Sequence, residues 1–214
     1  MHFRLLCILG LLVVPCLSAG GVSAAPTITD VTIFVTAEVA QISDYGGLLN
    51  NQIQVGDIVT GYYAYNLATP NTGSIPQVGD YWHYDSPYGI SVEVNGLVFQ
   101  TDPNNTEFLV ELVNDYHYSD NYLLRSYHNL PLSEEVLVRH IAWQLDDPTM
   151  SALSGVALPA TEPDLTNWQS IFGLTLEGCA PSPWTPGECD ESATFLVRAH
   201  VTSAVRLWRY WFPL

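Results

Sequence analysis

The run Asn114-Asp115-Tyr116-His117-Tyr118-Ser119-Asp120-Asn121-Tyr122 gathers more chemically capable groups than any other stretch of the chain. Asp115, Asp120 and Asn121 offer hard oxygen donors of the kind calcium takes. Their spacing matches no known calcium loop, because Asp-x-Asp-x-Asp-Gly is absent and no glutamate closes the run at the right distance. The competing reading is a solvated hairpin tip. Calcium on Asp115, Asp120 and Asn121 is the one cofactor these residues suggest.

The aromatic residues offer a different chemistry. Trp82, Tyr84 and Tyr88 follow one another closely, and Tyr116 and Tyr118 sit in the acidic run, with Tyr122 and Tyr127 after it. A ring with an apolar face and a polar edge suits a pyranose. Trp82, Tyr84, Tyr88, Tyr116 and Tyr118 are therefore the candidate carbohydrate-binding residues, and an extracellular polysaccharide is the partner they imply. The competing reading is that about half of the rings fill the core and the rest shield sheet edges.

No catalytic signature is present. His83, His117, His128, His140 and His200 show no His-Glu-x-x-His spacing, and no Gly-x-Ser-x-Gly elbow supplies a nucleophile. A hairpin could bring His117, His128 and Asp115 together, the one cluster worth testing against a structure. Glycoside hydrolysis would need two carboxylates a few ångströms apart, and spacing alone places none.

Hydrophobic periodicity gives the elements that must position these groups. Ile28, Val31, Ile33, Val35, Ala37 and Val39 alternate with threonines and Glu38, a strand with one buried face. Ile58 to Asn66 reads as the next strand. Gly89 to Phe99 is a hairpin around Asn95-Gly96, whose residues tolerate the positive φ of a type I′ turn. Phe108–Val113 and Asn121–Tyr127 flank the acidic run as a further pair. Val136–Leu145, Trp168–Leu176 and Ala193–Val205 complete the set. No helical stripe appears beyond single turns near Ser133 and Pro163. The expected fold is all-β, an antiparallel sandwich or jelly roll in a single domain.

Residues 1–24 read as a secretory signal peptide: Arg4, an apolar run from Leu5 to Leu17, then small residues to Ala24. The expected organisation is a leader at 1–24, a β-sandwich at 25–205 and an aromatic-basic tail at 206–214. Secretion, to the periplasm or outside the cell, is the expected location. Cys179 and Cys189 are then the mature thiols, and an oxidising compartment joins them in one disulfide. The chain contains no lysine, and its formal net charge is −16. Nucleic acid is excluded as a partner, since phosphate binding needs clustered cations. No later stretch is apolar enough to span a bilayer.

Val55 to Tyr65 resembles the VGD-x-V-x-G segment of exported bacterial proteins of the PEP-CTERM sorting-domain group. Tyr88 to Gly96 is similar to their next hairpin, and Ile141–Asp147, Ala157-Leu158-Pro159 and Pro163-Asp164-Leu165 to their central region. The resemblance implies an all-β extracellular domain from bacteria that make surface polysaccharide, and it transfers no catalytic residues. Arg206 to Leu214 does not resemble that group's Val-Pro-Glu-Pro, apolar helix and basic tail. The expected role is a non-enzymatic protein of the cell envelope or extracellular matrix that binds polysaccharide. The alternatives are a secreted carbohydrate-active hydrolase on the same scaffold and a calcium-stabilised adhesion module.

Overall fold

A computed structural model describes residues 29–169, 173–185 and 187–207. Residues 1–24, the span expected as a leader, and residues 208–214 lie outside that range. Ten strands follow in order: β1 (Asp30–Asp44), β2 (Ile58–Asn66), β3 (Val78–His83), β4 (Gly89–Val94), β5 (Leu97–Gln100), β6 (Phe108–Tyr116), β7 (Ser119–Ser126), β8 (Leu137–Asp147), β9 (Leu174–Pro181) and β10 (Cys189–Arg206). A single 3-10 turn, Leu165–Asn167, is the only helical element among the described residues. The expected all-β antiparallel class is what the chain adopts.

All ten strands join one sheet in the order β3-β6-β7-β8-β9-β10-β1-β2-β4-β5. The sheet curls so that its inner faces meet, an arrangement compatible with a sandwich. Tyr63 on β2 touches Tyr122 on β7 through their hydroxyls (3.2 Å), and its ring packs on Trp143 of β8. Phe99 on β5 meets Phe195 on β10 edge to face.

Alternation drives this burial. Val31, Ile33, Val35, Ala37 and Val39 of β1 all point inward, as do Phe195, Val197 and Ala199 of β10. Each buried Val, Leu, Ile or Phe side chain contributes about 1.5–3 kcal/mol, so the 23 of them in the core supply the main driving force against chain entropy. At Asn95 (φ 50°) and Gly96 (φ 85°) the β4–β5 hairpin turns as its two-residue sequence requires. Gly178 is needed for a different reason. A Cβ there would lie 2.4 Å from the Phe195 ring and 2.2 Å from the Leu137 carbonyl oxygen.

The β8–β9 connector packs Leu153, Val156, Leu158, Leu165 and Trp168 against the core. Tyr81 and Tyr65 donate their hydroxyls to the Val156 and Pro159 carbonyls, both 2.7 Å. Two buried carboxylates hold its start. Asp120 Oδ2 accepts from the Leu153 N–H. Asp147 accepts from the N–H groups of Thr149, Ser151 and Ala152 and from both the Thr149 and Ser151 hydroxyls.

Several boundaries differ from expectation. β3 was not anticipated as a strand, because its alternation is carried by Gly79, Tyr81 and His83 inward and Asp80 and Trp82 outward. The acidic run is not a loop: β6 and β7 continue to a two-residue turn at His117-Tyr118. Ala180 and Pro181 belong to β9 despite the proline, which ends the strand where no ladder N–H is needed. Arg206 still belongs to β10, opposite Ile33, so the sheet runs one residue into the span expected as tail.

Candidate functional site

Because Tyr81 and His83 turn inward, Trp82 must project from the outer face of β3. Its cross-strand row continues through Leu109 on β6, Arg125 on β7, Ala142 on β8 and Thr175 on β9. The Trp82 ring reaches across β6 to stack on Tyr127 (5.6 Å between centroids) and lies nearly parallel to Tyr84 (6.2 Å, 8°). Tyr127 in turn meets the edge of His140 at 5.9 Å. The Arg125 guanidinium sits 5.9 Å from the centre of the Tyr127 ring and donates to its hydroxyl. Tyr84 is 63% exposed, which leaves the free end of this aromatic strip in water.

The strip leads into a polar groove. His140 pairs with Glu177 at 3.6 Å, and Glu177 shares Arg139 with Glu191 (3.6 and 3.1 Å). Glu177 and Glu191, with Tyr45, Thr175 and Arg198, line a groove of about 400 Å³ on the outer face of β9, β10 and β1. Of the five arginines after residue 24, three (Arg125, Arg139, Arg198) therefore stand on this one surface. Asp80 and Glu111 border the other side of the strip as cross-strand partners. Burial, then the Asp80 charge, raises the Glu111 pKa, and Arg125 lowers it in part.

Chemically, this surface can stack sugar rings and hydrogen-bond their hydroxyls. Asp80 and Glu111 also stand directly opposite each other beside the strip, and Glu111 is the one whose pKa is raised.

The residues singled out from sequence fall in three places. Trp82 and Tyr84 form the strip. Tyr88 lies elsewhere, its hydroxyl donating to Asp30 Oδ1 (2.9 Å) and its ring against His83. Tyr116 packs on His117 at the hairpin tip, where Tyr118 is 84% exposed. Tyr127, Arg125 and His140 complete the strip, and the β6–β7–β8 register was the signal that could have found the last two.

Of the calcium candidates, Asp120 uses both oxygens in hydrogen bonds, from the Asp115 and Leu153 N–H groups. Asp115 Oδ2 accepts from Asn114, and Asn121 donates to Asp146 through its amide nitrogen. Among the described residues, no group of three or more His, Cys, Asp or Glu side chains is placed to hold a metal ion. His117 and His128 sit at opposite ends of the β6–β7 hairpin, so their proposed cluster with Asp115 does not form. His128 instead pairs with Glu107 at 3.3 Å. His83 is a buried structural histidine: Nε2 accepts from the Asn66 N–H, which puts the proton on Nδ1, facing the Tyr81 carbonyl. Burial lowers its pKa. Cys179 and Cys189 are joined, as expected. No helix among the described residues is long and apolar enough to cross a membrane.

No protein-family model, curated protein or solved structure matches the chain.

Proposed function

We propose that this is a non-enzymatic exported domain of the cell envelope or extracellular matrix, which holds polysaccharide along the outer face of β3 to β10. One observation carries the reading: the continuous strip Tyr84–Trp82–Tyr127–His140, which opens into the Glu177–Arg139–Glu191 groove. Aromatic stacking serves the apolar faces of successive sugars, and the groove's charged groups serve their hydroxyls. An exported setting is supported by the leader-like residues 1–24 and by the resemblance of Val55–Tyr65 to the PEP-CTERM group. A disulfide suits the same compartment.

The test is affinity electrophoresis through gels containing bacterial exopolysaccharides, backed by a glycan array. Trp82→Ala with Tyr84→Ala should weaken retention by about tenfold, the scale of losing one or two stacked rings. Retention that is unchanged in this double variant overturns the assignment.

A further inference from the structure

A second concave surface lies away from the strip, on the outer face of β1, β2 and β4. Tyr62, 44% exposed, is shared by two adjoining recesses of about 350 and 140 Å³. Tyr88 and Pro87 line both, Asp30 and Thr32 line the larger, and Gln100 the smaller. Two tyrosine rings thus border a space that also contains a carboxylate.

The carboxylate is held in place. Asp30 Oδ1 accepts from the Tyr88 hydroxyl (2.9 Å) and from Asn66 Nδ2 (3.0 Å), while Asn66 Nδ2 also donates to the Tyr88 oxygen. These bonds use Oδ1 and leave Oδ2 for a ligand. The fields of Asp30 and Asp85 both act on the Tyr88 hydroxyl. No arginine, lysine or histidine is among the described residues that line either recess.

We infer that this groove binds a small organic ammonium ligand, with its charge beside Asp30 and against the Tyr62 and Tyr88 rings. An anion would meet only like charge here. A neutral sugar would use the rings but leave the carboxylate without a countercharge. An ammonium satisfies both, since ring quadrupoles attract cations and a fixed carboxylate adds directed attraction. The net charge of −16 draws cations toward the whole molecule, and this groove adds two rings beside a positioned acid. The inference is independent of polysaccharide binding at the strip.

Calorimetric titration of the full chain with glucosamine and with N-acetylglucosamine tests it. Both probes carry the same ring, and only the first carries a positive charge. Glucosamine should bind about tenfold tighter or more, the scale of a cation–π contact plus a charge-assisted hydrogen bond. Asp30→Asn keeps the Oδ1 acceptor for Tyr88 and should lose most of that preference. Tyr62→Ala, at an exposed position, should weaken glucosamine about fivefold or more. Trp184→Ala, an exposed ring that lines neither recess, should leave the preference for glucosamine unchanged, which shows that an exposed ring alone does not supply it. Equal affinity for the two probes, absence of glucosamine binding, or full glucosamine affinity in Asp30→Asn overturns the inference. The comparison of probes needs no variant, so it decides the matter even if a substituted chain fails to fold.

Discussion

Asp80 and Glu111 face each other directly across the β3–β6 ladder, on the side of the sheet that carries Trp82. Asp80 Oδ1 is buried and finds no donor among the described residues. A proton on Glu111 supplies one. The groups facing this pair are Arg125 on β7, which favours ionised Glu111, and the uncharged Gln144 on β8, reached through Leu123. Burial, and then the facing Asp80 carboxylate, therefore favour the protonated form of Glu111.

Stability should follow that proton. The folded-state pKa of Glu111 is raised above its ordinary 4.5, so its stabilising contribution is complete below about pH 4.5. It is lost as pH rises through the folded value. Glu111→Gln keeps a donor for Asp80 and should melt about 2 °C above wild type at pH 7.5, the size expected for a half-exposed pair screened by solvent. The gap should close by pH 4. A gap that is constant with pH would show that the pair does not share a proton.

Asp147 should act in the opposite direction. Its hydrogen bonds to Thr149 and Ser151 hold its pKa below the ordinary 3.8, and its stabilisation is present above that value and lost as pH falls through the folded pKa. Asp147→Ala is expected to lower Tm by at least about 4 °C at pH 7. The difference from wild type should narrow at pH 2. Asp120→Ala should release the start of the same connector, and limited proteolysis would detect faster cleavage within residues 148–169. Millimolar calcium should leave Tm unmoved, because Asp120 already serves two backbone amides. A calcium-dependent rise would restore the metal reading of Asp115, Asp120 and Asn121.

How much of this was legible differs from element to element. β1, β2, the β4–β5 hairpin and β10 were readable because β-branched residues alternate there and Asn95-Gly96 is a turn dipeptide. β3 was not, since a glycine, a tyrosine and a histidine occupy its inward positions. The acidic run was readable as a hairpin tip, but its two-residue turn at His117-Tyr118 was not. Both residues adopt positive φ (52° and 63°), a conformation their types disfavour, and the ladder on either side imposes it. The candidate rings were visible as residues but not as a surface. Register joined Trp82 to Tyr127 and sent Tyr88 to a different groove, and one sequence does not specify strand order.

The disulfide links the β9–β10 hairpin across a separation of ten residues. Cys179 lies in β9 opposite Thr194, and Cys189 opens β10 opposite Pro181, so the bridge closes the end of the ladder where it is most irregular. Replacing both cysteines by serine should cost about 2–3 kcal/mol in the chain-entropy model. For a chain of this size that is a Tm fall of about 5–10 °C. Cleavage within 182–188 should also speed up. A fall below 2 °C would mean that the β9–β10 ladder alone fixes this end.

Tyr63, Tyr65 and Tyr122 stack their hydroxyls into the interior, where burial raises all three pKa values above the ordinary 10. In the unfolded chain the same phenols ionise near pH 10, so their stabilising contribution is complete below that value and declines above it. Phenolate absorbance should therefore show these three tyrosines ionising together with unfolding, as one cooperative alkaline step. Tyr63→Phe leaves the buried Tyr122 hydroxyl short of a partner and should cost about 1–2 kcal/mol. Adding Tyr122→Phe removes that orphan, so the double variant should cost less than the sum of the singles. Strict additivity would show that the 3.2 Å contact between these hydroxyls contributes nothing to joining the two halves of the sheet.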